Sequence, residues 1–212
     1  MKQSNYIACL TSWPPRMNNL PAVVDSLWAQ SVPPSSVIVT VAGSQYAEMA
    51  PVLNNLRANI LVVPEDTKVF KKFLPAMERM KPDQLVLAVD DDKIYPTNFA
   101  ASFLEQHARF PYAPISGNHY WHNGLKCHCG CASMVQPCHF AGWRKFEKHF
   151  AELESSDIFY TMLAAENHYR YTHTLNNWAH DAESYNSVRH YSQPGMVQRT
   201  YERMSRLLGW IK

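Results

Sequence analysis

The sequence predicts an α/β fold in which helices flank one central, mostly parallel β-sheet. Three observations support this prediction. Short apolar runs alternate with segments of helical periodicity over residues 6–89, which is the pattern of β-α-β units. Those runs are apolar at consecutive positions, as expected for strands buried on both faces. The chain has 212 residues, 46% of them hydrophobic, which is enough to form the core of one large domain.

Four strands and three intervening helices are predicted before residue 90. The strands are expected at residues 6–10, 37–41, 60–63 and 85–89. Asn19 is a suitable N-cap for the first helix, in which Pro21 is tolerated in the first turn. The other two helices are expected within residues 46–56 and 70–80. This βαβαβαβ order brings the carboxyl ends of the strands to one edge of the sheet.

The second half of the chain is predicted to continue the same domain. A helix is expected at residues 98–109, whereas residues 111–140 are rich in Pro, Gly, Cys and His and predict short strands and loops over the sheet edge. Ser156 is predicted to cap a helix with Asp157 in its first turn. A last helix is entered through Pro194. Its apolar face comprises Val197, Tyr201, Met204 and Leu208.

Composition and charge argue against several function classes. The formal net charge of +2 is spread along the chain without a basic block, so no nucleic acid is expected as a partner. No apolar run approaches a membrane span in length, so we expect no transmembrane segment. Residues 1–5 show no signal peptide. Four of the five cysteines are crowded between Cys127 and Cys138, unlike the bridges of a secreted scaffold, which predicts a cytoplasmic setting.

The clearest chemical signal is the acidic run Asp90-Asp91-Asp92, directly after the apolar strand at residues 85–89. Ligands of open α/β sheets bind at this carboxyl end of the strands. Three adjacent carboxylates repel one another, and Mg²⁺ or Mn²⁺ would relieve the repulsion by taking oxygen ligands. If the strand geometry continues, Asp90 and Asp92 lie on the same side and act as a pair. The alternative is a solvated acidic turn.

Five ordered segments resemble those of the GT-A glycosyltransferases. They lie at residues 10–16, 26–30, 65–76, 89–96 and 155–159. The fourth resembles the Asp-x-Asp segment of that family, and the fifth resembles its later acidic helix start. The resemblance covers residues 6–170 and implies a single Rossmann-like GT-A domain over residues 1–212. Within it, residues 1–96 would be the nucleotide-binding half and residues 97–212 the acceptor-binding half.

The resemblance also implies a role for each candidate site residue. Asp92 would ligate Mn²⁺ or Mg²⁺, and Asp90 would contact the nucleotide ribose or share the ion, while Asp91 faces the donor sugar. Lys72 would reach the phosphate or the sugar, and Asp66 would accept the uracil imide proton. The base and ribose would be lined by Thr11, Ser12, Trp13 and Arg16.

Each of these side chains also has an interpretation without a ligand. Arg16 and Lys72 belong to residue types that are mostly exposed to solvent. Trp13 stands beside two prolines and is able to pack a loop without binding anything. Thr11 and Ser12 are also turn formers.

Asp157 resembles the residue that acts as general base in the family. Inverting transfer needs a base to take the proton of the acceptor hydroxyl, and a carboxylate suits that role. An acid at a helix start is also favoured by the helix dipole without any function. The family usually has a second acid just before this position, whereas this chain has Ser155 and Ser156. The base assignment and the stereochemistry therefore stay open.

Cysteine and histidine are concentrated between Cys127 and His139. The cluster comprises Cys127, His128, Cys129, Cys131, Cys138 and His139. It lacks the two separated cysteine pairs of a structural zinc site, so we interpret it as buried thiols and keep zinc as the alternative. The resemblance places a hairpin with a glycine near the acceptor site, and Gly130 fits that glycine. His180 and His190 lie where some GT-A enzymes supply a late metal ligand.

The predicted function is transfer of a hexose or deoxyhexose from a UDP-sugar donor to a glycan hydroxyl acceptor, assisted by Mn²⁺ or Mg²⁺ and inverting. A metal-dependent nucleotidyl or phosphoryl transferase is the first alternative, because it also needs clustered carboxylates. The sequence lacks the glycine-rich phosphate loop after the first strand that would favour it. A non-catalytic zinc or carbohydrate-binding module is the second alternative, and it leaves the acidic strand end unexplained.

Overall fold

The computed structural model describes residues 6–173, 180–181 and 195–211, with side chains described except at 129–131, 173 and 180–181. The strands are β1 (Tyr6–Thr11), β2 (Ser36–Ala42), β3 (Asn59–Val63), β4 (Leu85–Val89), β5 (Lys93–Ile94), β6 (Ile115–His122), β7 (Leu125–Val135), β8 (Thr172–His173) and β9 (His180–Asp181). The helices are α1 (Leu20–Trp28), α2 (Gly43–Leu53), α3 (Leu74–Met77), α4 (Phe99–Arg109), α5 (Ser156–Glu166) and α6 (Met196–Leu207). In the described ranges, no helix combines the length and apolar character needed to cross a membrane.

The main sheet has seven strands in the order β3-β2-β1-β4-β7-β6-β8. Neighbouring strands are parallel except in the two pairs that contain β7. The predicted α/β fold with a mostly parallel central sheet is therefore confirmed. The order of the first four strands brings the ends of β1 and β4 side by side at one edge of the sheet, which is where the candidate site lies.

The core covers both faces of the sheet. Val86 of β4 packs on one face with α5 and the aromatic residues that precede α3. Leu87, the next residue along the strand, packs on the opposite face with α1 and α4. Because successive side chains of a strand point to opposite faces, a strand covered by helices on both sides has to be apolar throughout.

Residues 111–140 differ from the sequence prediction of short strands at the sheet edge. The structure has two long strands here, and β7 lies inside the sheet, hydrogen-bonded to β4 on one side and to β6 on the other. Pairing on both sides keeps this segment extended despite its Gly, Cys and His content, because tertiary context overrides the local preference. The last β4 residue, Val89, pairs with Ala132, so residues 125–131 extend beyond the carboxyl end of β4.

Two helix predictions also need correction. The helix expected at residues 70–80 is a 3-10 turn, Lys68–Lys72, followed by the four-residue α3. The two are separated at Phe73, whose φ of −143° is outside the helical region. The N-cap of α5 is Ser155 rather than Ser156, since the Ser155 side chain accepts a hydrogen bond from the Ile158 N–H. Pro194, the predicted entry to α6, lies outside the described residues.

Candidate active site

The loop after β1 and the turn after β4 contact each other through buried polar groups. The Ser12 hydroxyl donates to Asp91 Oδ2 over 2.6 Å. Arg16 Nη1 lies 3.1 Å from Asp91 Oδ1 and 3.0 Å from Asp92 Oδ2. One guanidinium thus serves two buried carboxylates, and Arg16 is not the solvated cation that its residue type alone suggests.

The predicted pairing of Asp90 with Asp92 cannot be based on strand geometry. It assumed that strand geometry continues past residue 89, but β4 ends at Val89, and Asp91 and Asp92 lie in a turn. The turn directs Asp91 and Asp92 together towards Arg16, while Asp90 forms an ion pair with Lys72. The backbone N–H of Asp90 donates to the Tyr95 hydroxyl over 2.8 Å, which fixes the start of the turn.

Burial and crowding oppose ionisation of the carboxylates in this turn. Burial raises the pKa of Asp92 to about 6, and the charges of Asp90 and Asp91 add to the increase. Burial also raises the pKa of Asp91, against the opposing effects of Ser12 and Arg16. Asp92 Oδ1 is buried and has no hydrogen-bond partner among the described residues. An oxygen of this kind suits a further positive ligand.

Lys72 links the acidic turn to the start of α5. Burial lowers the pKa of Lys72, but attraction to Asp90, then to Asp157 and Asp91, outweighs it and holds the pKa above its ordinary value. Asp157 is near enough to act on this ammonium group, although the two lie on opposite sides of the β6–β7 hairpin in sequence. The structure therefore brings the predicted general base to the acidic turn.

His128 is a site residue that sequence reasoning placed only in a packed hairpin. Its Nε2 lies 3.7 Å from Asp157 Oδ1, and its side chain is 6% exposed. Burial, followed by the charge of Lys72, lowers the pKa of His128 to about 3. The ring is therefore neutral, and its contact with Asp157 is not an ion pair. His128 reaches the site because β7 extends past the end of β4. This extension becomes apparent only when the pairing of the two strands is known.

Asp66 is already engaged by protein groups. Its Oδ1 accepts from Lys71 Nζ over 2.6 Å and from the Lys68 N–H over 2.9 Å, while Oδ2 accepts from Gln45 Nε2 over 2.8 Å. Burial raises the pKa of Asp66, but Lys71 and the other donors outweigh this and lower it overall. An imide N–H would have to use the remaining lone pair of Oδ2, because Oδ1 already accepts two hydrogen bonds.

A cavity of about 290 Å³ collects the predicted nucleotide-sugar-binding residues. All eight line it: Thr11, Ser12, Trp13, Arg16, Asp66, Lys72, Asp90 and Asp91. The rest of its lining comprises Lys68, Val69 and Lys71. The cavity lies at the carboxyl ends of β1 and β4, which is the ligand-binding edge of an α/β sheet.

The described residues include only some of the histidines predicted as late metal ligands and only some of the clustered cysteines. β9 pairs His180 with Ile94, which brings its backbone close to the acidic turn, whereas His190 lies outside the described residues. Cys127 is buried with a free thiol, and Cys138 is half-buried and free. Among the described residues, no group of three or more His, Cys, Asp or Glu side chains is arranged around a metal position.

Solved structures of similar architecture extend over almost the whole chain. S. aureus TarS in complex with UDP-GlcNAc superposes with a TM-score of 0.56 at 15% identity, covering 98% of this chain and 66% of that chain. The 4-diphosphocytidyl-2C-methyl-D-erythritol synthase from Anaerococcus prevotii DSM 20548 superposes with a TM-score of 0.52 at 12% identity, covering 95% and 99%. Both superpositions show that this chain has the same overall fold as these two proteins.

No protein-family model matches the sequence. A search of curated proteins gives no match either. At 12–15% identity, the structural similarity shows the fold alone. Any reaction that this chain catalyses therefore has to follow from its own site residues and their geometry.

Proposed function

We propose that this protein is a glycosyltransferase that moves a hexose or deoxyhexose from a UDP-sugar to a hydroxyl of a glycan. The observation that carries the proposal is the cavity at the carboxyl ends of β1 and β4, which ends at an acidic turn beside Lys72, whose ammonium group is also near Asp157. A nucleotide fits a pocket of mixed polar and apolar lining at this edge of the sheet. The UDP-GlcNAc complex of a structural neighbour supports this choice of donor.

The residues divide the work of transfer between them. Thr11, Ser12, Trp13 and Arg16 would line the base and ribose, with Asp66 accepting the imide hydrogen bond. Lys72 would stabilise the negative charge that develops on the leaving diphosphate. The acceptor oxygen forms a bond to the anomeric carbon and gives its proton to Asp157. The bond from that carbon to the diphosphate oxygen breaks, and the electron pair leaves with the diphosphate.

The carboxylates of the acidic turn fit a divalent cation. Two of them are shared by Arg16 and the third pairs with Lys72, and the charge of Lys93 also acts on Asp92. Even so, Asp92 Oδ1 is buried and has no hydrogen-bond partner among the described residues. Asp90 and the unpartnered Oδ1 of Asp92 would hold Mn²⁺ or Mg²⁺, with the donor diphosphate supplying further oxygens. When bound, the ion neutralises the departing diphosphate.

Asp157 supports an inverting reaction. It stands at the first turn of α5 and its side chain is 31% exposed, so an acceptor has access to it. A direct displacement with Asp157 as base inverts the anomeric carbon.

Nucleotidyl transfer is a second candidate because the synthase neighbour matches over 99% of its own length. A ligand panel separates the two functions. We expect UDP-glucose, UDP-galactose or UDP-GlcNAc with Mn²⁺ to raise the melting temperature and to release UDP, and CTP with Mn²⁺ to do neither. Stabilisation and pyrophosphate release with CTP would instead establish the nucleotidyl transferase, and no effect of any nucleotide would refute both.

A further inference from the structure

The imidazole of His128 is held in one orientation by a stacked tyrosine and a contact at Nδ1, and its backbone is fixed by a hydrogen bond. Its backbone N–H donates to Thr161 Oγ1 over 2.9 Å. The ring stacks on Tyr171 with centroids 5.4 Å apart and an interplanar angle of 21°. Nδ1 lies 2.9 Å from Ser116 Oγ, and Nε2 faces Asp157. A buried ring fixed in this way presents one particular nitrogen to the acceptor side of the site.

The hydrogen bonds determine which nitrogen carries the proton. The Ser116 hydroxyl donates to the backbone carbonyl of Asn118. A hydroxyl has one proton, so towards His128 it accepts, and Nδ1–H must be the donor. A neutral imidazole has a single N–H, and the pKa of about 3 keeps His128 neutral. Nε2 is therefore unprotonated, and its lone pair is directed towards Asp157.

Two hydrogen-bond acceptors thus face each other across 3.7 Å, His128 Nε2 and Asp157 Oδ1. They cannot bond to one another, but a donor placed between them is within reach of both atoms. The hydroxyl of Tyr171, stacked against the same ring, is buried and has no hydrogen-bond partner among the described residues. The Tyr171 hydroxyl is therefore available for a hydrogen bond to a ligand.

We infer that His128 Nε2 and Asp157 together hold the nucleophile, and that this nucleophile presents two donor hydrogens. The inference rests on the proposed function and specifies its acceptor: a sugar with two adjacent free hydroxyls. One hydroxyl gives its proton to Asp157 as its oxygen attacks, and the neighbouring hydroxyl donates to Nε2. In the absence of a sugar, one water molecule meets the same requirement.

The first test addresses the nitrogen directly. Nitrogen-15 NMR of the full chain at pH 7 should show Nδ1 protonated and Nε2 unprotonated, with the His128 signals assigned by their loss in His128→Gln. A proton on Nε2, or a charged ring, would overturn the inference. This measurement does not depend on any enzymatic activity.

The second test uses water as the nucleophile. UDP release is measured, without glycan, from the UDP-sugar that gives the largest thermal shift. His128→Leu removes the acceptor atom at similar size and should lower kcat by about tenfold or more, the effect of one lost hydrogen bond of about 1.4 kcal/mol. His128→Gln places a carbonyl oxygen near the position of Nε2 and should stay within about threefold of the wild type.

Both variants need a melting curve and a KM for the donor beside their rates. An unchanged donor KM places the defect at the nucleophile. A normal rate in a folded His128→Leu, or a raised donor KM with normal kcat, overturns the inference and leaves the proposed function standing. If the wild type neither binds nor cleaves a UDP-sugar, the proposed function fails, and the NMR result still decides the state of the ring.

Discussion

At the residue scale, the site consists of groups whose ordinary ionisation is altered by burial. Arg16 is shared between Asp91 and Asp92, and Lys72 pairs with Asp90 while it also feels Asp157. His128 is neutral because burial, followed by the charge of Lys72, lowers its pKa more than the attraction of Asp90 raises it. These side chains act on one another at close range, so single substitutions are expected to change chemistry more than packing.

Asp157→Asn tests the base. The amide keeps the size of the side chain but takes no proton, so turnover should fall by about 10² to 10⁴. Donor affinity should stay nearly constant, because the uridine and phosphate contacts belong to other residues. Steady-state kinetics with NMR of the product's anomeric configuration are the measurements. Normal turnover, or a product that keeps the donor's configuration, would remove Asp157 from the role of base.

His128 should also make stability depend on pH. Its folded pKa of about 3 lies below the ordinary 6.5, so the unfolded chain binds its proton first as the pH falls. The stabilising contribution is complete above pH 6.5 and is lost as the pH falls towards 3. Between pH 7 and pH 5 the loss is about 2 kcal/mol. The raised pKa of Asp92 acts in the opposite direction over this range. In urea unfolding at both pH values, the wild type should therefore lose about 2 kcal/mol more stability than His128→Gln between pH 7 and pH 5.

The sequence identified residues at the site better than it identified their partners. The ends of apolar strands can be predicted from composition, and residues at two such ends line one cavity: Thr11, Ser12, Trp13 and Arg16 at the first, Asp90 and Asp91 at the second. The sharing of Arg16 depends on where β4 stops, which local sequence does not specify to within a residue. The position of His128 depends on pairing between strands that are distant in sequence, and no local sequence pattern predicts that pairing.

At the element scale, the start of helix α5 determines the position of Asp157, the proposed base. Ser155 is buried, and its side chain caps the helix by accepting a hydrogen bond from the Ile158 N–H. Its own N–H donates to Thr200 of α6 over 3.0 Å. Asp157 stands in the first turn after this cap, so its position depends on how well the helix end is formed.

Ser155→Ala and Ser156→Ala form a matched pair. Loss of the cap should reduce the free energy of unfolding by about 1 kcal/mol in Ser155→Ala. The change at Ser156 should stay within about 0.5 kcal/mol, as is usual away from such features. Urea denaturation of both variants is the measurement. The reverse order would return the cap to Ser156, as the sequence alone had indicated.

At the scale of the whole molecule, ligand binding should show whether a metal ion links the acidic turn to the donor. A UDP-sugar with Mn²⁺ at about 100 times its dissociation constant should stabilise the fold by about 2.7 kcal/mol, or roughly 5–10 °C. Chelator should abolish this increase, because a diphosphate alone would be repelled by the carboxylates of the turn. Equal binding in calorimetry with and without chelator would contradict the metal bridge.

Asp92→Asn is the matched variant for that experiment. Removing one carboxylate from a crowded buried turn relieves repulsion, so the unliganded variant should melt at or above the wild-type temperature. Its stabilisation by a UDP-sugar with Mn²⁺ should be lost, together with turnover. A variant that is fully active would exclude Asp92 from the site.

The position of β7 has a consequence for how activity is acquired during folding. The first four strands pair in parallel and carry the cavity-lining loops, whereas His128 arrives only when β7 pairs with β4. Both pairings close long chain segments, and β1 and β4, which pair Tyr6 with Leu85, are further apart in sequence than β4 and β7, which pair Val86 with Val135. The cavity needs only the first pairing, whereas the proposed transfer needs both. Newly refolded protein should therefore never recover transfer before it recovers donor binding.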